Sequence, residues 1–187
     1  MRPSVWGKRQ RFLRPLGIVL TLAAILLLGG AIEILRPHAK PVTGRAEIVD
    51  GDTLRFGALR VRLTGLDAPE LDQTCTDRAG AEWACGSEAK TFVAGLIASE
   101  PVSCVRSGRD RYGRALATCS IDGRDLGSQI VAAGWAVAEL DYAGDELAAR
   151  LAERGIWGGS FVPPAEWRRT HGSAGPGLWE WIRSWFQ

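Results

Sequence analysis

An uncharged apolar run near the N-terminus divides this chain into a head and a body, and it limits what each part can fold into. The run covers the 18 residues of Pro15–Ile32 and is rich in Leu, Ile, Val and Ala. As a helix it would be about 27 Å long at ~1.5 Å per residue, close to the roughly 30 Å of a bilayer core. Five basic residues precede it. This flank is therefore expected to stay in the cytoplasm while the body is exported.

The run has three interpretations. It can be an uncleaved signal anchor, a cleavable signal peptide, or a helix buried in a soluble core. No clean A-x-A cleavage site ends the run, which favours the anchor, and the basic cluster and lack of a polar face argue against burial. Both exported versions predict a cell-envelope location. The body is either anchored to the inner membrane on the periplasmic or extracellular side, or secreted if the run is cleaved.

The formal net charge of +2 conceals two opposite charges. Residues 1–40 contain seven Lys or Arg and one acidic residue, whereas residues 41–187 contain 16 Lys or Arg and 20 acidic residues. The head is therefore +6 and the body is −4. An acidic body argues against a broad basic binding surface and favours a small site in which charge is concentrated. The length of 187 residues also excludes a (β/α)8 barrel.

All four cysteines lie in the body. An even number in an exported domain favours disulfides, for which three connectivities are possible. The expected pairs are Cys75–Cys85, which would close a loop, and Cys104–Cys119, which would join two neighbouring strands. A zinc site is the competing interpretation, but the chain has no C-x-x-C pair and the spacings are long.

The body has short strands first and helices interspersed later, which predicts a small antiparallel barrel with packed helices, an α+β fold. The predicted strands are Ala46–Val49, Thr53–Phe56, Leu59–Leu63, Pro101–Val105 and Arg114–Ile121. Three helices are predicted. The first has Ser87 as its N-cap, and the other two cover Asp125–Ala133 and Gly144–Arg154. Residues 71–85 have little periodicity and are expected to be irregular.

These patterns divide the chain into five parts. We expect a basic cytoplasmic region at 1–14, the anchor or signal helix at 15–35, a proline-containing stalk at 36–44, the folded domain at 45–160 and an extension at 161–187. The extension ends in a Trp-rich amphipathic segment after a Gly- and Ser-rich linker. That segment can dock at the membrane interface, pack on the domain or lack structure.

Histidine chemistry is excluded from the domain, because the two histidines, His38 and His171, both lie outside residues 45–160. Catalysis would therefore need carboxylates, arginines or a metal on oxygen ligands. Three polar segments offer such groups: Asp50–Thr53, Arg62–Glu70 and Asp110–Arg114. Each alone is explained equally well as a turn or a solvated loop.

In this order, the three segments resemble the staphylococcal (micrococcal) nuclease family of thermonuclease-like domains. The family pattern is a DGDT turn, an arginine followed five residues later by D-x-P-E, and a later Y-G-R. Here these are Asp50–Thr53, Arg62 with Asp67–Glu70, and Tyr112–Arg114, within a resemblance that spans roughly Ala46–Trp157. The resemblance implies a five-stranded OB-fold barrel with three helices. It also implies a calcium-dependent nuclease that cleaves the 5′-O–P bond of DNA and RNA with little sequence specificity, leaving 3′-phosphates.

The resemblance also implies the ligands of a calcium ion. Asp52 and Asp67 match the family's two calcium-binding aspartates, and the backbone carbonyl of Ala68 would add a third oxygen. Calcium is a hard cation that binds several oxygen ligands, so this set is chemically suitable. The staphylococcal enzyme has threonine at the position of Ala68, so any hydroxyl contribution is lost here.

Four further residues match the family's catalytic set. Glu70 corresponds to the glutamate that orients or deprotonates the attacking water. Arg62 and Arg114 correspond to the arginines that bind the scissile phosphate, and planar guanidinium groups suit phosphate oxygens. Tyr112 corresponds to a tyrosine that lines the phosphate pocket.

Two regions outside the motifs carry further expectations. The loop Leu71–Gly86 contains acidic residues and two cysteines where the well-known family member has a lysine-rich loop, which predicts weaker nonspecific attraction to DNA. Trp167, Arg168 and Arg169 either contact nucleic acid or form a solvated patch.

Two other functions remain open from the sequence. The domain can be a noncatalytic OB-fold module that only binds nucleic acid at the cell envelope. The chain can also be an envelope scaffold whose Trp-rich tail engages a membrane partner. The expected partners are DNA or RNA and, through the N-terminal helix, a membrane, and the protein is expected to be a monomer.

Overall fold

A computed structural model describes residues 18–22, 24–26, 40–98, 100–139 and 141–171. The chain forms two compact units, Met1–His38 and Ala39–Gln187. Residues 18–22 and 24–26 are helical, and the rest of the predicted segment 15–35, the basic region 1–14 and the Trp-rich segment 178–187 lie outside the described residues. Among the residues that the structure describes, no helix is long and apolar enough to cross a membrane.

The described strands of the second unit are β1 (Val42–Gly44), β2 (Glu47–Ile48), β3 (Thr53–Phe56), β4 (Leu59–Leu63), β5 (Leu66–Asp67), β6 (Cys75–Thr76), β7 (Glu82–Trp83), β8 (Val102–Arg109), β9 (Ala115–Ile121), β10 (Arg124–Asp125) and β11 (Val137–Ala138). Seven of them form a curled, half-barrel sheet in the order β1-β8-β9-β4-β3-β2, with β10 paired to β9. Strands β5 and β11 form one further pair, and β6 and β7 another. Strand β1 lies within residues 36–44, the suggested stalk, and pairs with β8.

Four helices and one 3-10 turn accompany the sheet. They are α1 (Cys85–Ile97), α2 (Leu126–Ala132), α3 (Ala143–Leu151), the 3-10 turn Gly155–Gly158 and α4 (Pro164–His171). The main core lies between the sheet and helices α1 and α2. Its fully buried side chains include Leu54, Val61, Val93, Val102 and Ile130. Alternate residues of β9 are buried, as expected for a strand with one face on the core.

The architecture is mixed α+β, as predicted, with one difference in pairing. Strands β4 and β9 run parallel, whereas the other strand pairs are antiparallel. The predicted antiparallel arrangement therefore describes all of these pairs except β4 with β9. Local alternation shows that each segment is a strand, but it does not determine which distant strand becomes its neighbour.

Helix boundaries show where local signals succeed and fail. Asp125 is the N-cap of α2, and its carboxylate accepts the Ser128 N–H at 2.9 Å. Helix α1 instead begins at Cys85 after Ala84, which makes no side-chain cap. The prediction that Ser87 is the N-cap was therefore wrong, because Cys85 and the buried Gly86 already form the first turn. Helix α3 ends at Leu151 rather than Arg154.

The loop Leu71–Gly86 is ordered by pairing and by a disulfide. Strands β6 and β7 form a short ribbon within it, and Cys75 is bonded to Cys85. Cys104 is bonded to Cys119 across β8 and β9, so both pairs are those expected. Thr76 exchanges two backbone hydrogen bonds with Ser160 at 2.9 and 2.8 Å. The loop thereby supports the segment that leads into α4, a helix that the sequence did not reveal.

Removing either disulfide should lower the free energy of unfolding by about 3 kcal/mol, because each bond closes a short loop in the unfolded chain. We expect Cys75→Ala/Cys85→Ala also to increase amide exchange in residues 159–171, since these residues are paired to the loop. The matched variant Cys104→Ala/Cys119→Ala should leave that exchange unchanged. Denaturant unfolding and hydrogen-exchange mass spectrometry measure both effects. Four free thiols in nonreduced peptides of the oxidised protein would refute the pairing.

Candidate active site

A tight turn places Asp52 inside the domain. The Asp52 N–H donates to Asp50 Oδ1 at 3.1 Å, and the Val49 N–H donates to the Thr53 carbonyl at 2.9 Å. The turn leaves no room for a side chain at Gly51, where a Cβ atom would lie 2.7 Å from the Cβ of Ala68. Asp52 is only 3% exposed. The DGDT segment therefore places a buried carboxylate at the end of the sheet.

Arg62 joins Asp52 to Asp67. Strand pairing places Arg62 opposite Thr53, and the Leu63 N–H donates to the Asp52 carbonyl at 2.8 Å. Arg62 Nη1 lies 2.6 Å from Asp52 Oδ1, and Arg62 Nη2 lies 2.7 Å from Asp67 Oδ1. One guanidinium group therefore bridges two buried carboxylates that belong to different motifs.

Burial dominates the electrostatics of this cluster. Desolvation raises the pKa of Asp52 to about 7, although the neighbouring Arg62 pulls it down. Burial also opposes the charge on Arg62, but Asp52 and Asp67 outweigh it and raise the pKa of Arg62 above its ordinary value. A single arginine thus does not offset the burial of Asp52, and a further positive charge beside it would be stabilising.

Glu70 is positioned through its backbone. Its N–H donates to Gln73 Oε1 at 3.2 Å, and its carbonyl accepts the Gln73 N–H at 2.8 Å. A Cβ atom at Gly86 would overlap the Glu70 carbonyl oxygen, so the start of α1 packs directly on this backbone. The side chain of Glu70 is 32% exposed and reaches the surface above Asp67.

Arg168 of α4 binds the carboxylates of Asp67 and Glu70. Its Nη1 and Nη2 lie 2.9 Å from Asp67 Oδ1 and Oδ2, and its Nη1 lies 2.7 Å from Glu70 Oε1. The hydrogen bond to Asp67 is the main reason that the pKa of Arg168 is raised above its ordinary value. The interpretation of this residue as part of a solvated patch was therefore wrong. The sequence offered only its basic character, because Asp67 and Glu70 lie 101 and 98 residues earlier.

Arg114 and Tyr112 belong to the turn between β8 and β9. Asp110 Oδ1 accepts the backbone N–H groups of both residues at 2.9 Å, and Asp110 Oδ2 accepts Arg114 Nε at 2.7 Å. The Tyr112 ring is 69% exposed and lies 4.8 Å from the Arg111 guanidinium carbon and 5.6 Å from that of Arg114. Arg114 is thus oriented by Asp110 and does not bind Asp52, Asp67 or Glu70.

A positively charged cleft brings most of these side chains together. It has a volume of about 680 Å³, and six of its ten lining residues are arginines. The lining residues are Asp50, Arg60, Arg62, Glu70, Arg111, Tyr112, Arg114, Ala165, Arg168 and Arg169. The predicted residues Arg62, Glu70, Tyr112 and Arg114 share this cleft, whereas Asp52, Asp67 and Ala68 do not line it and lie behind Arg62 and Arg168. The sequence did not reveal that Arg60, Arg111 and the two arginines of α4 join them.

The predicted calcium ligands fit a cation in chemical type. Within the described ranges, no group of three or more acidic, His or Cys side chains is arranged to hold a metal ion. Asp52 and Asp67 nevertheless share Arg62 as a positive partner, and the Ala68 N–H donates to Asp52 Oδ2 at 3.1 Å. Two buried carboxylates beside a backbone segment are a suitable oxygen donor set for a hard dication. A cation bound there would take the place of arginine contacts.

Comparison with known proteins agrees with this geometry. Residues 60–158 match the family described as staphylococcal nuclease homologue. The chain is 40% identical over 151 residues to the succinoglycan biosynthesis protein ExoI of Rhizobium meliloti (strain 1021), covering 77% of this chain and 75% of that protein. It is 30% identical over 135 residues to an uncharacterized endonuclease of Haemophilus influenzae, covering 66% and 70%. The chain therefore belongs to the staphylococcal nuclease-like family.

Proposed function

We propose that this protein is a calcium-dependent nuclease that hydrolyses phosphodiester bonds of DNA and RNA with little sequence specificity. The observation that carries the proposal is the shared cleft of Arg62, Glu70 and Arg114, with two buried aspartates directly behind Arg62. A nuclease needs positive groups for the phosphate, a carboxylate for water and a nearby oxygen donor set for a cation. The chain supplies all three in one place.

The two arginines have the role of binding the scissile phosphate. Arg114 is already held at the cleft by Asp110, so its planar fork is oriented before substrate arrives. Arg62 would turn from the aspartates to the phosphate when a cation replaces it. Negative charge that develops on the phosphoryl oxygens during hydrolysis is then stabilised by groups that are already in place.

Glu70 has the role of orienting the attacking water or accepting its proton. Its backbone is fixed by Gln73, and its side chain reaches the cleft, so a water between Glu70 and the phosphate is geometrically accessible. Asp52, Asp67 and the Ala68 carbonyl would hold calcium, which when bound would polarise a phosphoryl oxygen. Cleavage of the 5′-O–P bond to leave 3′-phosphates is part of the proposal because the motif residues match the family's set.

A noncatalytic nucleic-acid-binding module is the second candidate function. The six arginines of the cleft favour it, because they would attract a polyanion whether or not chemistry follows. Such a module would have no need of Glu70 beside the buried aspartates. Cleavage activity separates the two candidates.

The fold type and location complete the proposal. We place the half-barrel sheet with its helices in the OB-fold class and interpret the domain as monomeric. The segment 15–35, which contains the apolar run, is proposed as a signal anchor or signal peptide. It would place residues 45–160 on the periplasmic or extracellular side of the inner membrane, where an oxidising environment would maintain both disulfides.

Removing a catalytic side chain should abolish activity without unfolding the domain. We expect Glu70→Gln and Arg114→Gln each to reduce kcat roughly 10²- to 10⁴-fold in the presence of calcium, because each loses proton transfer or charge stabilisation in the transition state. Cleavage of plasmid DNA and of RNA measures the loss, and circular dichroism measures folding. Glu82→Gln and Arg124→Gln are matched controls on exposed residues outside the cleft. Cleavage by the wild-type protein that persists in excess chelator would contradict the calcium requirement.

Binding of nucleic acid should depend only moderately on salt. The loop Leu71–Gly86 contributes Asp72, Asp77, Arg78 and Glu82 rather than lysines, so contacts to phosphate are confined to the cleft. We expect the slope of log affinity against log salt to be shallower than about −5, the value for six phosphate contacts. Fluorescence anisotropy of the Glu70→Gln variant between low and physiological salt tests this. A steeper slope would show that the binding surface extends well beyond the cleft.

A further inference from the structure

We propose that Arg168 is a third phosphate-binding arginine of the site, supplied by a helix outside the segment that matches the family. In the free protein it pairs with Asp67 and Glu70, and it transfers to the phosphate oxygens of the nucleic acid when a cation binds Asp67. The inference rests on the proposed function. It adds a residue that lies ten positions beyond the matched residues 60–158.

The position of Arg168 beside Arg62 is the first support. Both guanidinium groups bind the same oxygen, Asp67 Oδ1, at 2.7 Å from Arg62 and 2.9 Å from Arg168. A phosphate held by Arg62 would therefore lie within reach of Arg168, and two adjacent planar forks suit an anion with several oxygens.

The charge balance gives a reason for the transfer. When all three carboxylates are ionised, Asp52, Asp67 and Glu70 carry three negative charges against the two positive charges of Arg62 and Arg168. The formal net charge of this cluster is therefore −1. A dication would change it to +1, and a phosphodiester would then return it to zero. A cation would also bind the Asp67 oxygens that now accept hydrogen bonds from Arg168. Its binding would therefore release Arg168 and leave the cluster with a net positive charge, which favours the binding of an anion.

The anchoring of α4 allows this exchange without movement of the helix. The fully buried Gln73 donates from Nε2 to the Val162 carbonyl at 2.7 Å, and it also holds the Glu70 backbone. Pro164 is buried at the start of α4, and Thr76 pairs with Ser160. The base of Arg168 is therefore fixed relative to Glu70. Its side chain is 40% exposed and lines the cleft, so loss of its carboxylate partners would allow it to change rotamer.

Binding measurements with and without calcium test the exchange. The probe is a short oligodeoxynucleotide in which a methylene group replaces each bridging 5′-oxygen, which keeps the phosphate charge and prevents cleavage. For Arg168→Gln in the full chain, we expect about tenfold weaker binding of this probe with calcium, the loss of one charge-assisted contact. Without calcium, binding should change less than twofold, because Arg168 is then engaged by carboxylates.

Calcium affinity in the absence of nucleic acid is the second measurement. Isothermal titration should show that Arg168→Gln binds calcium severalfold more tightly than the wild type, because a competitor for Asp67 has been removed. Arg168→Lys should recover part of the probe affinity, since it keeps the charge but not the fork. Arg124→Gln, which removes an exposed positive charge outside the cleft, should match the wild type in every measurement.

The outcomes separate this inference from the proposed function. If the wild type cleaves natural DNA with calcium while Arg168→Gln binds the probe and calcium as the wild type does, then Arg168 only docks α4 and the inference is wrong. An equal loss of probe affinity with and without calcium also overturns the exchange. If the wild type cleaves neither DNA nor RNA with calcium, the proposed function itself fails. Thermal unfolding of each variant reports whether α4 remains docked.

Discussion

The salt bridges of Arg62 to Asp52 and Asp67 are the interaction on which the site depends. Two carboxylates buried within the domain would be strongly destabilising without a positive partner, because each ion loses its hydration. Arg62 supplies that partner from β4 while the DGDT turn and strand β5 supply the aspartates. The same contact therefore stabilises the end of the sheet and holds together the two carboxylates that we propose as cation ligands. These three residues therefore contribute both to the stability of the fold and to the proposed chemistry.

The second arginine, Arg168, comes from a distant part of the chain and adds positive charge to the cleft. Arg168 belongs to a helix that the family segment does not include, and the disulfide-bonded loop Leu71–Gly86 holds that helix against Glu70. In place of a lysine-rich loop, this chain has a disulfide-bonded loop, and helix α4 adds two arginines to the cleft. The cleft is therefore positive although the body as a whole carries an excess of acidic residues.

Sequence reasoning succeeded where the signal lies in a short segment. Asp52, Arg62, Asp67 and Glu70 were identified from their motifs, and the structure places them together; Asp125 was correctly located at the start of a helix. It failed where distant residues meet. The parallel pairing of β4 with β9 and the contact of Arg168 with Asp67 join residues that are far apart in the chain, and neither leaves a local pattern. The N-cap predicted at Ser87 failed for a related reason, since the disulfide and the packing of Gly86 on Glu70 determine where α1 begins.

The docking of α4 has a consequence for the order in which the protein matures. Asp67 and Glu70 precede Arg168 by 101 and 98 residues, so the chain must be synthesised almost to the end of the described region before the carboxylates acquire this partner. Closing so long a loop is slow relative to local hairpin formation. The sheet and its Arg62 bridge can assemble first, whereas the full cleft exists only after α4 has docked. A nascent or truncated chain would thus have the buried part of the site before it has a finished surface for nucleic acid.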